Sequence, residues 1–343
     1  MPACGGAAAL LLALAGAVLW IRSSPSTISI RPGSVVTIDA HTGNIVDDLT
    51  VPVGSQPAPL IAGDGALWTY NANRQTLVRI APGTHHAVER GIGVVATDIA
   101  VGAGYEWVAD GVNNKLFQLQ WQSGLPPTRV KFPPTTFHLN TASNFRPSES
   151  GQVTVHGGVV WATVQGTGWP HTVVAIRASD FRQLHKYQVP EYTSQIGDVE
   201  SGPAGVWMEN RTSGGNSGEA ALAALAPTRS PPQAVSQGNY LQQGVAVSRT
   251  KVWFAGGVSR VVAELDPSPP YPWVPVDTPY PVTAIAAGPA GIWAATSNPG
   301  TVYQINPNNQ HLTRTVKVNG YVTGIAVGTH NVWVLVQSNP VTA

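Results

Sequence analysis

The sequence is poor in charge and nearly devoid of cysteine. Asp, Glu, Lys and Arg make up 11% of its 343 residues and almost cancel, leaving a formal charge of +1. No basic stripe runs along the chain, so nucleic acid is not an expected partner. The single cysteine, Cys4, excludes an intramolecular disulfide and a cysteine-based metal cluster. With only Met1-Pro-Ala ahead of it, Cys4 does not sit in a lipobox. The nine histidines form no HxH or HExxH pattern, and there is no G-x-S-x-G elbow, P-loop or dinucleotide fingerprint. Long apolar runs are scarce as well, and the one that stands out is Gly5 to Ile21.

What the chain has in quantity is a repeat. Ile61-Ala-Gly-Asp-Gly-Ala-Leu-Trp68, Ile99-Ala-Val-Gly-Ala-Gly-Tyr-Glu-Trp107, Val153-Thr-Val-His-Gly-Gly-Val-Val-Trp161 and Val199-Glu-Ser-Gly-Pro-Ala-Gly-Val-Trp207 share one pattern. Val245-Ala-Val-Ser-Arg-Thr-Lys-Val-Trp253, Ile285-Ala-Ala-Gly-Pro-Ala-Gly-Ile-Trp293 and Ile325-Ala-Val-Gly-Thr-His-Asn-Val-Trp333 continue it. Each copy is an apolar strand, a tight turn and a Trp, and subtracting successive Trp positions gives intervals of 39, 54, 46, 46, 40 and 40. Further strand-and-turn signals follow each Trp, as in Thr76-Leu-Val-Arg-Ile80, Ala81-Pro-Gly-Thr84 and Ala87-Val-Glu-Arg90. Four short strands per ~40–50-residue unit predict a β-propeller. The 36 glycines and 29 prolines fall between strand signals, as turn residues should.

The expected architecture is therefore all-β: a seven-bladed propeller of four-stranded antiparallel blades over residues 34–343. The last copy stops soon after Trp333, and its missing outer pair is supplied by Ser34-Val-Val-Thr-Ile38 and Ile45-Val-Asp-Asp-Leu-Thr-Val51. Closing the ring with both termini removes two unpaired sheet edges. Ahead of the propeller come a tail (1–4), the apolar run (5–21) and a linker (22–33). At ~1.5 Å per residue, 17 helical residues span about 25 Å, just short of a ~30 Å hydrocarbon core. The run is read as an uncleaved transmembrane anchor with the propeller extracytoplasmic. A cleaved signal peptide, giving a secreted protein, is the rival; no Lys or Arg precedes the run and no small-x-small site follows it. Arg22 and Arg31 lie on the propeller side, so the charge rule does not favour this orientation.

The stretch Val51-Pro-Val-Gly-Ser-Gln-Pro-Ala-Pro-Leu-Ile-Ala-Gly-Asp-Gly-Ala-Leu-Trp68, with Leu77-Val-Arg-Ile-Ala-Pro82, resembles the YVTN/YncE-type propeller repeat of bacterial envelope and sensor proteins. It is also distantly similar to virginiamycin B lyase-like propellers. The resemblance implies fold more than function, because the shared repeat is structural. In the lyase-like enzymes a channel His acts beside a metal-binding Glu; no histidine here stands where an innermost strand begins, so those roles are not carried over.

Seven tryptophans at one position per unit are read as packing between blades. Functional groups of a propeller gather at one face, where loops lead into the innermost strands and join the second strand to the third. The first set of positions gives Asp98, Glu149, Asp198 and Gln243. Asp98, Glu149 and Asp198 form an oxygen set that would suit Ca²⁺ or Mg²⁺; otherwise no cofactor is expected. In the second set, Asn71 and Asp110 are set against their bland reading as turn caps. The longest insertions there are Gln165-Gly-Thr-Gly-Trp-Pro-His171 and Glu209–Glu219, read as loops of blades three and four. They offer Trp169 as a stacking face and His171, Glu209 and Arg211 as polar contacts. The expected function is a non-enzymatic sensor or scaffold module that binds a small molecule, peptide or protein. The alternative is a metal-assisted lyase or lactonase at the channel mouth.

Overall fold

In the computed structural model, the described residues are 30–338 except 55–57, 85, 112, 114, 122–134, 139–150, 165–171, 189–194, 212–220, 226–232, 237–243 and 257–258. The chain is an all-β propeller with four-stranded antiparallel blades. Six sheets are continuous meanders, and a seventh joins the two ends of the described chain. The innermost strands, for blades 1 to 7 in chain order, are Ile61–Gly63, Asp98–Gly102, Val153–His156, Gln195–Gly202, Val245–Val247, Ala284–Gly288 and Tyr321–Val327. Each touches the next, and Tyr321–Val327 returns to Ile61–Gly63, so the ring is closed.

In the joining blade, Ser34–Asp39 lies between Asn331–Gln337 and Ile45–Thr50. Thr37 pairs with Trp333, and Val35 with Leu335. A second fastener crosses the same seam. The buried Gln337 side chain accepts the Ala58 N–H (3.0 Å) and the Thr323 hydroxyl (2.6 Å), and donates to the Gly54 carbonyl (2.7 Å).

Packing follows the repeat. Trp68, Trp107, Trp161, Trp207, Trp253 and Trp293 are buried, while Trp333 at the joining blade is half-buried. Indole N–H groups cap the preceding turns: Trp68 donates to Gly63 O, Trp107 to Gly102 O, Trp207 to Ala204 O and Trp293 to Ala290 O, all at 3.0–3.1 Å. The apolar clusters lie between neighbouring sheets. Glycine at the end of an inner strand sets how closely blades approach. A Cβ at Gly63 would lie 2.8 Å from Val101 of the next blade, and one at Gly102 would lie 2.8 Å from Val155. Gly202 and Gly288 meet Val247 and Val327 in the same way.

Among the described residues no helix is long and apolar enough to cross a membrane. The expected anchor at 5–21 lies outside the described residues.

Candidate functional site

The inner strands enclose a central lumen with two chambers, one of about 190 Å³ where the strands begin and one of about 250 Å³ farther along. All seven blades line both. The second chamber shows the repeat at its barest. Equivalent positions carry Ala62, Ala100, Thr154, Glu200, Ala246, Ala286 and Ala326, so one carboxylate interrupts a wall of small side chains. Where the strands begin, the equivalent residues of the other chamber's wall include Leu60, Asp98, Asp198, Gly244, Ala284 and Gly324. The lumen thus has an acidic flank on blades 2 and 4 and an apolar flank on blades 5 to 7, with Thr283 and Thr323 adding hydroxyls.

These carboxylates also join blades. Asp98 Oδ2 accepts the Val153 N–H at 2.9 Å, and Asp198 Oδ2 accepts the Val245 N–H at 3.0 Å. Each therefore holds the start of the next blade's inner strand. Glu200 Oε2 accepts the Ser201 N–H at 3.3 Å and lies 3.4 Å from the Thr154 hydroxyl, which itself meets the Ser201 hydroxyl at 2.7 Å. Asp98 and Glu200 keep some surface toward the lumen, but protein surrounds them and the ionised form is poorly hydrated. Burial pushes the Asp98 carboxyl up to about 8; the Val153 hydrogen bond opposes the shift and the nearby Asp198 adds to it. Burial, then Asp198 and Asp98, raises Glu200 well above the ordinary range.

The sequence-predicted residues separate into three groups. Asp98 and Asp198 do line the lumen together. Glu149, Trp169 and His171 lie outside the described residues. Glu209 is not in a loop: the second strand of blade 4 runs Gly205–Arg211, so Glu209 is a strand residue and Arg211 ends that strand. Glu209 is 0% exposed, and its carboxylate accepts the Asp198 N–H at 3.2 Å. It supports the lumen wall rather than offering a rim contact. Asn71 and Asp110 are turn caps, accepting the Arg74 and Asn113 N–H groups. Glu200 is the residue that sequence reasoning missed. Its signal was present, an acid where five other copies carry alanine and one carries threonine.

Among the described residues no three His, Cys, Asp or Glu side chains are gathered as a cation site. No family model matches the sequence, and no curated protein matches it. Solved structures share the fold. Hydrazine synthase of Kuenenia stuttgartiensis superposes with a TM-score of 0.64 at 15% identity, covering 79% of this chain and 89% of that one. The WD40 β-propeller domain of Doa1 gives 0.59 at 10%, covering 82% and 94%. Apo AztD from Citrobacter koseri gives 0.55 at 11%, covering 88% and 86%. At such identities the likeness is one of architecture, that of a β-propeller.

Proposed function

We propose that this protein is a non-enzymatic binding propeller, of the YVTN/YncE-type repeat class, whose ligand or partner engages the lumen at the end where the inner strands begin. The observation that carries the reading is the lumen itself. It is walled by all seven blades, acidic on one flank and apolar on the other, and large enough for a small molecule or an inserted side chain. The likeness to WD40-type propellers supports a binding or scaffold role. A lumen lined by carboxyls and small side chains, with no basic residue among the described lining, offers nothing to a polyanion and suits a neutral, hydroxyl-rich or peptide-like ligand. Trp169, His171 and Arg211 are proposed to wall the mouth from blades 3 and 4. The 5–21 segment is proposed as a membrane anchor with the propeller outside the cytoplasm. For the lyase or lactonase reading, Asp98 and Asp198 are the remaining support, and each already has an oxygen committed to a backbone N–H.

The test is a thermal-shift screen of full-length protein against neutral saccharides and short peptides, repeated on Ala62→Trp, which fills the lumen, and on a Trp169/His171/Arg211 triple-alanine variant. Loss of a ligand's shift in both variants is expected. A shift that survives in both places the site elsewhere. Protease added to intact spheroplasts reads orientation, and a protected propeller overturns the extracytoplasmic assignment.

A further inference from the structure

Between blades 1 and 2, away from the lumen, an ionisable side chain is buried in an aromatic and cationic cluster. Glu106, on the second strand of blade 2 (Tyr105–Asp110), is 5% exposed. Its Oε2 accepts the backbone N–H of Trp121 at 2.8 Å. Trp121 comes just after the third strand of that blade (Lys115–Leu119), and its ring meets Trp68 of blade 1 edge-on, centroids 5.2 Å apart. The Arg90 guanidinium of blade 1 lies 4.0 Å from the Trp121 ring centroid, and Arg79 lies 5.7 Å from that of Trp68. The Trp68 edge contact and the Arg90 cation–π contact therefore hold the chain leaving blade 2 against blade 1, and the Glu106 hydrogen bond fixes Trp121 in position for both.

We propose that Glu106 is a proton-sensitive latch that holds Trp121 in the seam between blades 1 and 2 and lets it loosen when the carboxyl ionises. The charges that bear on Glu106 come mainly from blade 1: Asp64 disfavours its ionisation and Arg79 favours it. Glu106 in turn supports the charge on Arg90, which burial pushes the other way. On the strands packed beside it, Asp98, Lys115 and His156 are the other titratable groups. Burial outweighs the Trp121 hydrogen bond and lifts the Glu106 carboxyl to about 7. A carboxyl raised in the closed state binds its proton more tightly there than in the opened state. Closure is then strongest below the ordinary value of 4.5 and is progressively lost as pH rises to about 7.

Hydrogen exchange at the Trp121 amide of the full chain tests this directly. After correction for intrinsic exchange, protection is expected to fall on the order of a hundredfold between pH 4.5 and 7. The Val318 amide in blade 6, bonded to Gly300 O, reports any pH dependence shared by the whole fold, and the fall at Trp121 should exceed the fall there. Glu106→Gln keeps an acceptor for the Trp121 N–H and cannot ionise, so its Trp121 profile should fall no more than that of Val318. A flat wild-type profile, a fall at Val318 as large as that at Trp121, or an unchanged slope in the Gln variant overturns the latch. Should the variant not fold, carbon-13 titration of the wild-type Glu106 carboxyl decides, and a midpoint near 4.5 overturns it.

Discussion

At the scale of single residues, the repeat predicts packing better than chemistry. Tryptophan at a fixed place in every unit has a physical reading, because only burial requires the same bulk in each copy, and six of the seven are fully enclosed. Trp107→Ala and Trp293→Ala should each cost roughly 3–5 kcal/mol in chemical denaturation, as large buried aromatics do; less than about 1 kcal/mol would make them surface groups. Asp98 was legible as a lumen residue because it precedes an inner strand, but its protonation was not, since that depends on neighbours 55 or more residues away, such as Val153. The sign is fixed by the upward shift: the native state holds the Asp98 proton where the unfolded chain releases it. Stability linked to this group is full below about pH 3.8 and is lost as pH rises toward about 8. Asp98→Asn, which can still accept the Val153 N–H, should flatten the decline of denaturation midpoint over that range. An identical decline in the variant would show that the carboxyl is ordinary.

Strands and turns were legible wherever alternation was flanked by Gly, Pro or Asn, as in Thr76–Ala81 and Thr301–Asn306. The misreading at Glu209 came from composition. A run of Asn, Ser and Gly reads as loop from its middle, whereas the strand continues to Arg211 because Gln195 and Ile196 pair with Arg211 and Asn210. Terminal closure was legible because half a unit was missing at one end and present at the other. Removing 34–50 should leave the Asn331–Gln337 strand with a bare edge, and the truncated protein should elute as aggregate in size-exclusion chromatography. A monomer that melts like the parent would refute closure. The Gln337 fastener was invisible in the sequence, since its partners Gly54 and Ala58 lie 283 and 279 residues away. Gln337→Leu strands those buried polar groups and should lower stability by roughly 2–4 kcal/mol in urea titration.

For the whole molecule, the interlocked seventh sheet makes the ring stronger than a row of self-contained units. A circular permutant with new ends in the Val318–Gly320 connection and the old ends linked would make every blade contiguous in sequence. It should keep the fold but melt lower and unfold faster than the parent, and equal unfolding rates would show that the interlock adds nothing. The close meeting of inner-strand glycine with a valine of the following unit, at Gly63, Gly102, Gly202 and Gly288, bears on the size of the circle. Wedge angle is set at the hub, where there is least room. A methyl group added at each of these four joints would lean the sheets there outward and open the curvature. Duplicating a unit during evolution would therefore not by itself yield a larger wheel, because the new copy would bring the same tight pitch with it. A change in copy number would require re-cutting the hub teeth, and at four joints of this ring those teeth are glycines.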